Sequence, residues 1–237
     1  MLVKNDIEWL RAEHPSLRVR KDLKQVSGKV RFVGSYDKDK DLYYTPIEFS
    51  KEVTLPGIVL SGEYEITIEE NKAQRLPKFY IHDDNIRHTA DRHFYNDESA
   101  CVCGIIEELK HLEIGLSFRK YFEELALPFL YGQKYYDEYR KWPWKEYAHN
   151  LTGALESYYI KGHVQDVLLL LYLDKLKHFK GFDRLQNILL HRKRPKGHVL
   201  CFCNSGDYIR RCHPEAWEGL KLVYSDFQSI RNASLVQ

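Results

Sequence analysis

The hydrophobic rhythm of this chain changes at Cys103. Before it, apolar residues recur with period two. Tyr64, Ile66 and Ile68 alternate with Glu63, Glu65, Thr67 and Glu69, the pattern of a half-buried strand. Val30, Phe32 and Val33 mark another strand over 29–36. The charged run 37–41 then reads as a turn, and 42–45 as a returning strand. Residues 58–60 and 79–81 predict two more short strands. Ahead of them, 4–14 reads as an amphipathic helix carrying Ile7, Trp9 and Leu10, ended by Pro15. After Cys103, apolar residues fall at 118, 121, 122, 125, 126, 129 and 130, a 3.6-residue period, with Pro128 predicting a kink or break. Further helices are expected over 149–159 (stopped by Gly162), 164–179 and 183–191, and a short one around 215–224. Strands first and helices afterwards is an α+β pattern. It comprises an N-terminal helix, an antiparallel β-meander and C-terminal helices.

The chain has 237 residues, 43% of them hydrophobic and 30% charged, enough for one sizeable core and a small appendage. Its net charge of +2 exerts no global pull on nucleic acid. No run approaches the ~18 apolar residues of a membrane span, and the first residues lack the apolar core of a signal peptide. Five cysteines, odd in number and closely grouped, do not form a disulfide framework and imply a reducing compartment. The expectation is a soluble, cytoplasmic protein.

Three of the five cysteines lie in Cys201-Phe-Cys203-Asn-Ser-Gly-Asp-Tyr-Ile-Arg-Arg-Cys212-His213. Three thiolates and one imidazole suit a tetrahedral Zn²⁺, and the Asn-Ser-Gly turn lets the two pairs reach one ion. The bland alternative is three free thiols beside a chance histidine. A forty-residue tail over 198–237 has little core of its own, so metal binding would supply its folding free energy. The segment resembles the zinc-binding motif (SEC-C) at the C-terminus of the bacterial secretion ATPase SecA, in which a glycine stands where this chain has Asn204. That resemblance implies a docking or recruitment module. Arg210 and Arg211, with the basic hinge 191–198, are either a contact for an acidic partner or nucleic acid, or a solvated surface.

The other two cysteines close the polar stretch Asp-Arg-His93-Phe-Tyr-Asn96-Asp-Glu-Ser-Ala-Cys101-Val-Cys103. They could be metal ligands with His93 and His88 or His111, or small buried apolar residues. A third possibility is a nucleophilic thiol, with Asn96 as an oxyanion donor and His93 orienting the loop or moving a proton. Tryptophans 142 and 144 are expected to pack, and His149 reads either as a structural hydrogen-bonder or as a group near a thiol.

The order of parts is similar to that of the ubiquitin-conjugating enzymes, in which a His-Pro-Asn segment precedes the catalytic cysteine. The bacterial relatives of that family, which occur beside genes for an activating enzyme and a ubiquitin-like protein, show Arg-His, then Asn-Asp-Gly-Ser, then Cys-Leu. They also show a later Trp-Pro…His-Gly…Gly…Glu-x-Tyr. This chain resembles them through Arg92-His93, Asn96-Asp97-Glu98-Ser99 and Cys101-Val102. The later matches are Trp142-Pro143, His149-Asn150, Gly153 and Glu156-x-Tyr158. Glu98, Val102 and Asn150 stand where the relatives carry Gly, Leu and Gly. Alignment on Ser99 makes Cys101 the family's cysteine, whereas the His-to-Cys spacing of the eukaryotic form selects Cys103.

The resemblance implies a transferase that carries a ubiquitin-like protein as a thioester on Cys101 and passes it to a target amine, in a possible antiphage role. Asn96, His93 and His149 would assist, and the activating enzyme, the modifier and a protein target would be its partners. The alternative is an inactive scaffold of the same fold that recruits protein or nucleic acid through its zinc knuckle. Expected domains are 1–162, a helical connector and hinge over 163–197, and a zinc module over 198–237.

Overall fold

The computed structural model describes residues 2–45, 55–71, 75–162, 164, 166–191 and 193–233. The chain divides into two compact units, Met1–Cys103 with Ile114–Glu146, and Gly104–Glu113 with Tyr147–Gln237. Grouped by packing, residues 104–113 and 147–162, placed from sequence in a domain over 1–162, fall with the C-terminal helices.

The first unit begins with α1 (Lys4–Glu13), whose start is fixed by Asp6 accepting the Val3 N–H at 2.9 Å. Five strands follow: β1 (Leu17–Val19), β2 (Gln25–Asp37), β3 (Leu42–Tyr44), β4 (Ile58–Glu69) and β5 (Lys78–Ile81). They form one antiparallel sheet in the order β1-β2-β4-β5, with β3 also paired to β2. The period-two pattern of β4 is realised: Tyr64, Ile66 and Ile68 are buried opposite Val30, Gly28 and Val26. The two strands expected at 58–60 and 63–69 are one. Gly62 does not break the strand; it faces Phe32 across the ladder, and a Cβ there would sit 2.8 Å from the Phe32 ring. Sequence reading missed β1, which at three residues is too short to show a period.

Helices cover this sheet. In α3 (Phe118–Tyr121), Ser117 caps the N-terminus by accepting the Lys120 N–H. The interruption expected at Pro128 takes a definite form. A π-helical turn, Phe122–Ala126, leads into α4 (Leu127–Tyr139), with the proline in α4's first turn. Proline lacks an N–H and is tolerated at a helix start, and the wider turn before it absorbs the change in hydrogen bonding. Phe79, Phe94 and Phe129 meet edge to face beneath α4.

The second unit is helical. It contains α2 (Ile105–Ile114) through Glu113, α5 (Asn150–Ile160), α6 (Asp166–Leu176), α7 (Phe182–Leu190), α8 (Ile209–Cys212) and α9 (Pro214–Ala233). Its core gathers Leu151, Leu155, Tyr158, Leu169, Tyr172, Leu220 and Val223. Helix α9 is twice as long as expected because its far half also has work to do. Tyr224, Gln228 and Arg231 donate to the carbonyls of His191, Leu189 and Leu190, which α7 leaves without helical partners. Gly219 lets α9 press against α5: a Cβ there would lie 1.8 Å from the Leu155 carbonyl oxygen. Residues 199–230 therefore contribute to the core of this unit. Among the described residues no helix is long and apolar enough to cross a membrane.

Candidate functional site

The stretch from His93 to Cys101 folds into a tight hairpin. Phe94 and Ala100 form an isolated antiparallel bridge, the Cys101 N–H donates to the His93 carbonyl at 2.7 Å, and the Tyr95 N–H donates to Ser99 at 2.9 Å. The Ala100 N–H donates to the Phe79 carbonyl, which pins the hairpin to β5. Its other root is the buried Arg92. That guanidinium bonds the Gln133 side-chain oxygen at 2.9 Å and Asp137 at 2.8 Å, and lies over the Tyr136 ring. Gln133 returns a bond to the Arg92 carbonyl. A buried arginine this fully satisfied holds the loop in one place.

At the tip, the Glu98 N–H donates to the Tyr95 carbonyl, and Glu98 itself takes φ 64°. A left-handed conformation costs an L-residue about 1–2 kcal/mol and costs glycine almost nothing. Glu98→Gly is therefore expected to stabilise the protein by about 0.5–1 kcal/mol in urea denaturation, after the extra chain entropy of glycine is subtracted.

Asp97 ties the turn down. Its carboxylate accepts the Ser99 N–H and hydroxyl, and pairs with Lys78 at 2.5 Å. The Lys78 ammonium, then the Ser99 hydroxyl, hold its pKa down to about 2. The folded state thus prefers the carboxylate. The resulting stability is fully present above about pH 4 and is lost as pH falls toward about 2. Asp97→Asn is expected to cost no more than about 1 kcal/mol at neutral pH, since both side chains are over a third exposed and screened. The gap from wild type in urea denaturation should narrow as pH drops from about 4 to 2.

Cys101 lies at the hairpin's end, partly exposed, and Cys103 likewise. The Tyr95 hydroxyl donates to the Cys101 sulfur at 3.1 Å. Sequence reading missed Tyr95. The signal was present in principle: with His93 opposite Cys101 across a hairpin, period two turns Tyr95 to the same face. The His93 ring packs edge-on to Trp142 at 4.5 Å, with its Nε2 3.4 Å from Glu146. Trp142 in turn donates to the Asp91 carbonyl, so it packs as expected. Asn96 is exposed at the tip, and among the described residues no hydrogen bond joins its side chain to Cys101.

His149 belongs to the second unit, where it is the exposed N-cap residue of α5. The residues after it hold the preceding backbone. Glu156 accepts the Ala148 N–H at 2.7 Å, and Gly153 leaves room for the Ala148 carbonyl, which a Cβ would meet at 1.4 Å. Asn150 has φ 61°. Tyr158 is buried and donates to the Val164 carbonyl.

The second candidate site is a metal centre within the second unit. Residues 199–201 run antiparallel to 207–209 through the Leu200–Tyr208 bridge, with Asn204 at φ 64° and Gly206 at φ 81° turning the chain between. This brings Cys201 and Cys203 back to Cys212, at the end of α8, and to His213 beyond it. The four ligand atoms lie within 4.8 Å of one another. Cys201 Sγ is 3.2 Å from His213 Nδ1, and the sulfurs of Cys203 and Cys212 are 3.5 Å apart. A tetrahedron with Zn–S of about 2.3 Å and Zn–N of about 2.0–2.1 Å has edges of about 3.6–3.8 Å. The four groups could bind a metal ion and are compatible with zinc. Burial pushes the Cys201 thiol up to about 12, whereas the Ser205 hydroxyl draws Cys203 down to about 6. Arg184 of α7 braces the site: it donates to the Cys201 carbonyl at 3.0 Å and stacks 4.2 Å over Phe202.

No protein family, curated protein or solved structure matches this chain.

Proposed function

We propose that this protein is a ubiquitin-conjugating-like transferase whose acyl carrier is Cys101, with a zinc knuckle at 201–213. The observation that carries the reading is conformational. The bacterial motifs place glycine at the positions of Glu98 and Asn150, and the zinc motif places it at Asn204. These three are among the seven described non-glycine residues with positive φ, at 64°, 61° and 64°. A backbone suited to glycine at each of those positions supports the alignment that runs through Ser99, and that alignment makes Cys101 the family's cysteine.

In this reading the Cys101 thiolate attacks the thioester carbonyl of a ubiquitin-like protein carried on its activating enzyme. A new C–S bond forms, the carbonyl oxygen gains charge, and collapse breaks the old C–S bond and releases the enzyme's thiolate. A target amine then attacks the Cys101 thioester and frees the thiol. Tyr95 supplies a donor to the sulfur that would stabilise the thiolate once it forms, while in the thiol state Cys101 donates to the Cys103 carbonyl at 3.5 Å. A zinc held by Cys201, Cys203, Cys212 and His213 would be structural, since four protein ligands would close its coordination.

The test is incubation with ATP, an activating enzyme and a ubiquitin-like protein of the bacterial systems it resembles, followed by a non-reducing gel. A larger band that disappears with thiol reductant supports transfer. The scaffold reading is favoured by the departures from the bacterial motifs at Glu98, Val102 and Asn150. It predicts no adduct in the presence of a charged activating enzyme.

A further inference from the structure

The charge of this chain is unevenly placed. Residues 191–213 hold six Lys or Arg against a single Asp, a net +5 in a chain whose total is +2, so the remainder carries −3. Three thiolates and a divalent zinc would together add −1, which still leaves the segment strongly positive. Arg192 lies outside the described residues; Lys193, Arg194, Lys196, Arg210 and Arg211 are all exposed. Among the described residues none of these five is paired with a carboxylate.

The fold brings Arg210 to the hinge. The antiparallel run through Leu200 and Tyr208 carries the hinge alongside α8. The Arg210 side chain lies over Gly197, so that a Cβ there would meet it at 2.9 Å. This puts Arg210 beside Lys196. Two apolar side chains stand exposed in the same ladder, Leu200 and Tyr208, and the His198 ring stands edge-on to Tyr208 at 6.5 Å. Tyr208, 37% exposed, thus offers part of an aromatic ring on the same segment as cations that no described carboxylate neutralises.

We infer that the hinge and knuckle form a binding surface for single-stranded nucleic acid, with the cations taking phosphates and Tyr208 stacking on a base. Unpaired cations alone would accept any polyanion. The exposed ring among them selects one that carries flat π-faces along its backbone, and stacking of this kind tolerates every base. The chain's near-neutral total conceals the surface, because the rest of the molecule is acidic. This inference is independent of the thioester reading.

The test is fluorescence anisotropy of a fluorescein-labelled 20-nucleotide deoxythymidine oligomer, titrated with the zinc-loaded full chain. Binding is expected in the micromolar range at low salt. With four or more phosphate contacts, each doubling of salt should weaken it about sevenfold. Lys193→Glu with Lys196→Glu, both in an exposed hinge, should weaken it at least tenfold with zinc content unchanged. Tyr208→Ala should weaken it about tenfold, and Tyr208→Trp should retain it. Three results would each overturn the inference: no binding at low salt, unchanged affinity in the hinge variant, or displacement by poly-glutamate at the same charge concentration as unlabelled oligomer. The last would identify the occupant as an acidic protein segment.

Discussion

Cys201→Ser should purify with less than about a tenth of an equivalent of zinc, against one equivalent in the wild type, as read by elemental mass spectrometry. Cys201 is the buried ligand, and its sulfur lies 3.2 Å from His213 and shares one cluster with Cys203 and Cys212. A hydroxyl there is a poor fourth ligand, and the remaining three cannot close a tetrahedron. The loss should spread. Phe202 and Ile209 are buried beside the ligands, and Arg184 ties Cys201 to α7. Structural zinc sites contribute on the order of 10 kcal/mol to the folding of small modules. This one is embedded in a larger core, because α9 packs on α5, so a smaller share reaches the global fold. A loss of about 3 kcal/mol, or a melting temperature lower by about 10 °C or more, is expected for Cys201→Ser and for chelated wild type alike. Undiminished stoichiometric zinc in Cys201→Ser would remove the knuckle from the account.

The second large effect concerns Cys101. With charged activating enzyme present, Cys101→Ala should abolish the reductant-sensitive adduct. Cys101→Ser should replace it with an ester that survives reductant and is cleaved by mild alkali, since oxygen takes the place of sulfur in the acyl bond. Cys103→Ala should leave adduct formation within about threefold of wild type. The two thiols are two residues apart and both partly exposed, so accessibility does not separate them. The alignment through Ser99 does: it selects Cys101, whose sulfur accepts a hydrogen bond from the Tyr95 hydroxyl. Tyr95→Phe should slow the reaction about three- to tenfold and shift its pH profile upward, as a thiol that has lost a donor ionises at higher pH. A profile that stays in place would leave Tyr95 a purely structural role.

Much of the architecture was legible because it rests on local patterns. The alternation of Tyr64, Ile66 and Ile68 located β4, and the 3.6-residue spacing from Phe118 located the helices on the sheet. Asn204 and Gly206 announced the turn that closes the metal cluster. What stayed hidden depends on contacts between distant residues. Residues 58–60 and 63–69 read as two strands until the continuous ladder of β4 on β2 joins them through Gly62, opposite Phe32. The length of α9 follows from carbonyls that α7 leaves open, which no pattern within residues 214–233 reveals. The division of the chain was obscured in the same way, because α5 finds its partner in α9 across the intervening helices. In the hairpin, the motif residues His93 and Asn96 stood out by type. Tyr95, Asp97 and Arg92 act through geometry: one bonds the thiol, one anchors the turn, and one fixes the loop to α4.

The proposal that Cys101 carries the acyl group is tested most directly by mapping the adduct. Wild-type protein is charged with ATP, the activating enzyme and the ubiquitin-like protein. Its intact mass is then measured, and it is digested under non-reducing, mildly acidic conditions. The account predicts one added modifier less one water, removed by thiol reductant, with the modifier's C-terminal residue assigned to Cys101 itself by fragmentation of the peptide that holds both Cys101 and Cys103. An adduct confined to Cys103 or to a lysine, or an unmodified chain beside a fully charged activating enzyme, would contradict it.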